Sequence, residues 1–149
     1  MKIYLAADHA GFELKNQINL FLKNSGYDVE DCGAFKLDGT DDYPDFIKLA
    51  ARKVSENANS FGLVFGKSGA GECMVANKIK GARAFLAVSE KNVKLAREHN
   101  DANIMSIGTD FTTFQQATSL ITLFLTTPFS NEERHKRRIA EIKRIEDEN

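Results

Sequence analysis

The sequence predicts an α/β fold: a Rossmann-like three-layer αβα sandwich around a five-stranded parallel sheet. Three observations predict it. Short apolar runs of β character alternate with helical patterns about five times, the order that gives a parallel sheet covered on both faces. The chain shows no internal repeat, low-complexity stretch or linker, and its 149 residues suit one domain, 1–149, with a single core. The third apolar run passes directly into Gly66-Lys67-Ser68-Gly69-Ala70-Gly71-Glu72 and then a helical pattern. A strand, a glycine loop and a helix start in that order mark a ligand-binding edge of such a sheet.

Each element has a local reason. Ile3–Ala7 is a strand, and Gly11 to Lys23 a helix with Phe12, Leu14, Ile18, Phe21 and Leu22 at helical spacing. Gly26 ends it, and Tyr27–Val29 starts a second strand. A polar loop, Lys36 to Asp42, leads through Tyr43-Pro44-Asp45 to a helix from Phe46 to about Ser55. Gly62–Phe65 is the third strand and Glu72–Lys78 the third helix. Ala82–Val88 is the fourth strand, with Ser89 placed to cap a helix over Asn92–Glu98 and Asn100 as its left-handed terminator. Asn103–Ile107 is the fifth strand, Thr112 to Leu125 a helix, and Asn131 to Glu146 a charged terminal helix that packs on the sheet or on another subunit.

Composition excludes several classes. Lys and Arg number 20 against 21 Asp and Glu, a net charge of −1, so there is no basic field for nucleic acid. The N-terminus reaches Asp8 and His9 too soon for a signal-peptide core, and no apolar run nears membrane length. A cytoplasmic protein with Cys32 and Cys73 as free thiols is expected.

The candidate chemistry sits at strand ends. Backbone N–H groups of Gly69, Ala70 and Gly71 converge where the helix dipole also favours negative charge. Glu72 stands at the same place, and donors for an anion beside a proton-accepting carboxylate suit enolate or enediolate chemistry. Such a base needs its pKa moved toward neutrality by burial. Asp8 either caps the first helix or positions a sugar hydroxyl or a histidine, and His9 can pair with a phosphate. His99 closes a helix, where a cation is stabilised. Arg134 and Arg138 share one helix face and suit capture of a phosphate, unless the helix is simply solvated. His135 points away as a surface residue.

Seven segments in order carry a resemblance: Ala7-Asp8-His9-Ala10-Gly11-Phe12-Glu13-Leu14-Lys15, Asp42-Tyr43-Pro44-Asp45, Ser68 to Glu72, Ala76-Asn77-Lys78, Gly81-Ala82-Arg83-Ala84, Ala96 to Asn103, and Arg134-His135 followed by Arg138. The chain resembles the ribose-5-phosphate isomerase B family, which also includes the subunits of galactose-6-phosphate isomerase. The resemblance implies a proton shift between an aldose phosphate and a ketose phosphate through a cis-enediolate, without metal or coenzyme. One kind in the family uses a cysteine where this chain has Gly66. The other uses a glutamate where it has Glu72, so Glu72 is the implied base. Ser68 with the N–H groups of residues 69–71 would hold the enediolate oxygen, and His99 with Asp8 would assist ring opening. Tyr43 would pack on the sugar, Asn100 would orient a hydroxyl, and His9, Arg134 and Arg138 would bind phosphate. Relatives share each site between two subunits, implying a homodimer or homotetramer.

Two departures stand out. The family carries an arginine in the segment that is here Gly108-Thr109-Asp110, and Lys67 replaces a small residue of the glycine loop. Lys67 could supply the displaced cation, or the substrate could differ. A hexose-6-phosphate isomerase and a non-catalytic sugar-phosphate sensor are the alternatives. A receiver-type signalling domain is disfavoured, because only Asp8 follows the first strand and no acid closes the third.

Overall fold

A computed structural model describes residues 1–149. Its sheet is parallel throughout, in the order β2-β1-β3-β5-β4. The strands are β1 (Lys2–Ala7), β2 (Asp28–Asp31), β3 (Ser60–Gly66), β4 (Ala84–Leu86) and β5 (Ile104–Gly108). The helices are α1 (Phe12–Asn24), α2 (Tyr43–Glu56), α3 (Ala70–Ala76), α4 (Glu90–Asn100), α5 (Phe114–Thr126) and α6 (Glu133–Glu148). The three-layer sandwich expected from the alternation is the one observed.

Strand alternation splits the core in two. Ile3, Leu5 and Ala7 of β1, with Leu63 and Phe65 of β3, face α1, α4 and α5 through Leu14, Ile18, Leu22, Val93, Ile121 and Phe124. Tyr4, Ala6 and Val64 face the opposite way, onto Ile47, Ala50, Ala51 and Val54 of α2 and Ala76 of α3. Period-two side-chain placement makes this division automatic once the strands pair.

Several boundaries differ from the local reading. β2 runs on to Asp31, because pairing with β1 puts Glu30 opposite Tyr4 and Asp31 opposite Leu5. β4 is short. Its flanking N–H groups leave the ladder for side chains: Arg83 donates to Asn103 Oδ1 at 2.7 Å, and Val88 to Asn92 Oδ1 at 2.9 Å. α2 begins at Tyr43, with Pro44 in its first turn, where a missing N–H costs nothing. α3 starts at Ala70 after Gly69, which holds φ at 77°, a conformation glycine adopts without a Cβ penalty.

Ser89 caps α4 as expected, accepting from Asn92 N–H at 3.1 Å. The left-handed terminator is Asp101 at φ 45°, not Asn100, which remains helical. Asp101 is held there by Arg97 at 2.8 Å and Arg83 at 3.1 Å. α6 packs on the end of α4 and not on the sheet: Ser130 N–H donates to Glu98 O, and His99 stacks on His135 at 4.3 Å between ring centroids.

The largest surprise in the core is Lys15. Helical spacing marks Phe12 and Phe21 as core, yet both are half-buried, while Lys15 is fully buried. Its ammonium donates to both oxygens of Asp31 at 2.7 Å and to Ala34 O at 2.6 Å. Asp31 also accepts from Gly33 N–H at 2.8 Å. One ion pair thus fastens α1 to the segment leaving β2. Lys15→Met would leave the Asp31 carboxylate without its cation and the Ala34 carbonyl without the ammonium donor. It is expected to cost about 3 kcal/mol in urea unfolding, and an unshifted urea midpoint would show that the pair is dispensable.

Candidate active site

The carboxyl ends of β1, β3 and β5 meet at one edge, and the chain there has no room for side chains at its glycines. A Cβ on Gly66 would overlap the Glu72 carboxylate, and one on Gly108 would overlap the Ser68 backbone. A Cβ on Gly71 would stand 2.7 Å from Tyr43 Cζ. The loop after β5 is zipped to the loop after β3: Thr109 N–H donates to Gly66 O at 2.9 Å and Asp110 N–H to Lys67 O at 3.0 Å. Ser106 Oγ, fully buried, donates to Gly69 O at 2.6 Å and holds the turn from below.

These contacts gather Asp8, His9, Tyr43, Gly66, Lys67, Ser68, Gly69, Ala70, Gly71 and Glu72 along one edge. Glu72 is only 4% exposed. Burial raises its pKa, and the charge of Asp8 raises it further, against a hydrogen bond from its own backbone N–H. Asp8 is buried. One oxygen caps the turn before α1, accepting from Ala10 N–H at 3.0 Å and Gly11 N–H at 3.3 Å. The other, Oδ2, lies 4.0 Å from His9 Nδ1. Ser68 is exposed, with its Oγ accepting from Ala70 N–H at 3.3 Å. Lys67 and Asp110 are both exposed and adjacent through the loop hydrogen bond.

The remaining predicted residues are elsewhere in the same chain. α4 starts beyond the carboxyl end of β4 and returns to the amino end of β5. His99 and Asn100, in its last turn, therefore lie at the opposite edge of the sheet from Glu72. Arg134 and Arg138 join them there on α6. Arg134 is exposed and bonds Glu132 at 2.8 Å. Arg138 is exposed.

His135 is not the surface residue its helix position suggested. It is 1% exposed, stacked on His99, and its Nδ1 lies 2.6 Å from Ser130 Oγ. The first turn of α6 folds onto α4, so a side chain on a charged helix becomes internal. Burial and the neighbouring His99, Arg134 and Arg138 lower its pKa.

Asp41 is a second residue that local reading passed over within the Lys36–Asp42 loop. Its Oδ1 accepts from His9 N–H at 3.0 Å and lies 2.7 Å from His9 Nδ1. Ligand atoms of Asp8, His9 and Asp41 lie within 4.8 Å of one another. The atoms His9 Nδ1 and Asp41 Oδ1 are already bonded to each other, so the trio is an ion-pair cluster by geometry. A cavity of about 650 Å³ adjoins this edge at Ser68 and Gly108, between Leu86, Val88, Phe111 and α5, and Glu72 does not line it.

The edge joins a shielded carboxylate, a donor-rich glycine turn and an imidazole. A model of the Ribose/Galactose Isomerase family matches residues 3–142. The chain belongs to this family. A ribose-5-phosphate isomerase B of Mycolicibacterium paratuberculosis is 48% identical over 139 residues, spanning 93% of this chain and 87% of that one. The crystal structure of ribose-5-phosphate isomerase B from Mycoplasma genitalium with bound ribulose 5-phosphate superposes with a TM-score of 0.94. It is 41% identical and covers 99% of this chain and 97% of the other. A type B ribose 5-phosphate isomerase of Trypanosoma cruzi gives 0.94 at 34% identity, with both chains fully covered. No helix here is long and apolar enough to cross a membrane.

Glu72 is kept buried at a cost to the fold. A carboxyl whose folded pKa is raised is destabilised as pH rises from its unfolded value near 4.3 through the folded one. Glu72→Gln is therefore expected to raise the melting temperature at pH 7.5, with the gain vanishing below about pH 4. A calorimetric scan showing equal melting temperatures at pH 7.5 would contradict a shifted Glu72.

Proposed function

We propose that this chain is an aldose–ketose isomerase interconverting ribose 5-phosphate and ribulose 5-phosphate, with Glu72 as the base. The observation that carries the reading is the position of Glu72: it is 4% exposed, lies against Gly66 and stands in the first turn of a helix that opens on a glycine turn. A carboxylate lifted toward neutrality can take a proton from one carbon of an open-chain sugar and return it to the next. The N–H groups of Gly69, Ala70 and Gly71, with Ser68, stabilise the enediolate oxygen that develops meanwhile. The names of the relatives and the ribulose 5-phosphate held by the Mycoplasma genitalium structure support this substrate.

Tyr43, whose ring lies against Gly71, packs on the sugar at the site entrance. His9 serves the phosphate. Lys67 stands beside Asp110 and supplies a cation where Asp110 cannot. Hexose 6-phosphates and a sensor without turnover remain weaker readings, because a sensor has no use for a buried base.

One copy of the chain does not complete the site. His99, Asn100, Arg134 and Arg138 lie at the opposite edge of the sheet from Glu72. A second copy related by a two-fold axis brings that cluster over the glycine loop, and a two-fold pair makes two such sites at once. In this homodimer, which can pair again into a tetramer, His99 assists ring opening with Asp8, Asn100 orients a hydroxyl, and the two arginines hold phosphate.

Two experiments test the reading. Glu72→Gln is expected to lower kcat on ribose 5-phosphate by about 10³-fold or more, and a variant with near-full turnover would remove Glu72 as base. Allose 6-phosphate and galactose 6-phosphate assayed in parallel decide the sugar. The shared site is tested by unfolding and refolding a mixture of Glu72→Gln and His99→Asn chains. Mixed dimers carry one intact site, so an equal mixture is expected to regain roughly a quarter of wild-type activity. Activity no higher than the sum of the separate variants would exclude a site built from both copies.

A further inference from the structure

His9 is the only imidazole at the carboxyl edge of the sheet, the other two lying together at the amino edge. Its bonding is unusually complete on one side. Asp41 Oδ1 is engaged twice, by the His9 backbone N–H at 3.0 Å and by Nδ1 at 2.7 Å. The Asp41 side chain is only 9% exposed, and its Oδ2 is buried without a hydrogen-bond partner. A carboxylate enclosed in this way is unfavourable unless a cation sits against it. Its one ion-pair partner is His9. Asp8 Oδ2 faces the same nitrogen at 4.0 Å, its other oxygen being held by the N–H groups of Ala10 and Gly11.

Three carboxylates, Asp41, Asp8 and Asp38, thus act on one ring. The Asp41 hydrogen bond is the largest cause that raises the His9 pKa above its ordinary value, against partial desolvation. Lys36 acts on Asp38, and Glu72 sits beyond Asp8. With Nδ1–H directed at Asp41, the free donor of the half-exposed ring is Nε2–H. A hydrogen bond fixed at one imidazole nitrogen decides what the other presents.

We propose that Asp41 is a positioning residue for this isomerase: it holds His9 as an imidazolium whose Nε2–H binds the phosphate group of the substrate. The inference rests on the sugar-phosphate reading above. Asp41 touches no substrate atom. It acts by keeping a cationic donor among Asp8, Asp38 and Asp41, whose charges would repel an unassisted phosphate.

The test pairs Asp41→Asn with Asp41→Glu, and reads the protein with and without substrate. Without substrate, the His9 ring-proton resonance, assigned by its loss in His9→Gln, is titrated by NMR. Its midpoint is expected to fall in Asp41→Asn toward about 6.5 and to be restored in Asp41→Glu. With ribose 5-phosphate, Asp41→Asn is expected to raise KM at pH 8 about tenfold over wild type, with kcat held within about threefold. Comparing variant with wild type at each pH cancels the titration of the substrate itself. That KM ratio is expected to shrink toward one near pH 5.5, where the ring is protonated without help, and Asp41→Glu is expected to recover most of the loss. An unshifted NMR midpoint, a KM ratio flat with pH, or an equal loss in kcat and kcat/KM would overturn the role of Asp41. Wild type that does not turn over sugar phosphates would instead overturn the isomerase reading, while leaving the His9 titration to be judged separately.

Discussion

The constraint on which this structure turns is the absence of side-chain volume at Gly66. The Glu72 carboxylate occupies the space where any Cβ at that position would stand. A larger residue there would displace the carboxylate or the strand end, because protein interiors have no slack of that size. The same condition recurs around it. Gly108 lets Ser68 approach β5, Gly71 lets the Tyr43 ring lie on the loop, and Gly11 lets α1 begin against the Phe65 backbone. At this edge Gly69 is required for its dihedral angles, with φ at 77°. The other glycines serve close approach, and together they compress three strand ends into one shielded edge.

Shielding explains the electrostatics. Glu72 loses water and gains Asp8 as a like-charged neighbour, and both effects favour its neutral form. Asp8 is itself anchored by two backbone N–H groups. Its position is therefore set by the turn that starts α1, and its charge acts on Glu72 and His9 alike. The acid that closes the turn before α1 is thus also the charge beside Glu72 and His9. His9 is affected in the opposite sense, since carboxylates favour its charged form. The edge thus holds a carboxyl that resists ionisation and an imidazole that resists losing its charge, a separation that suits neighbouring groups to distinct tasks at one pH.

The other edge is organised by Arg97. It is buried against Phe61 and Phe124, donates to the carbonyls of Thr127 and Ala102, and pairs with Asp101. This network fixes the end of α4, from which His99 and Asn100 project, and the chain that enters α6. His135 then packs beneath His99. The arrangement is ordered within one copy, yet it faces away from Glu72.

The sequence by itself determined the layers, the parallel sheet and most of the carboxyl-edge residues. Those signals are local: apolar periodicity, glycines between strand and helix, and an acid directly after the loop glycines at 69 and 71. Helix ends and strand lengths were legible only to within a few residues, because β2 and β4 are bounded by partners distant in the chain, such as Asn103 and β1. The burial of Lys15 and His135, and the attachment of Asp41 to His9, were decided by tertiary structure alone. Each depends on a contact between segments that sequence distance does not report: Asp31 and Ala34 for Lys15, the end of α4 for His135, and a loop 32 residues away for His9. The separation of Glu72 from His99 belongs to the same class. Strand order and helix direction set it, and these arise from packing the whole sheet and not from any one segment.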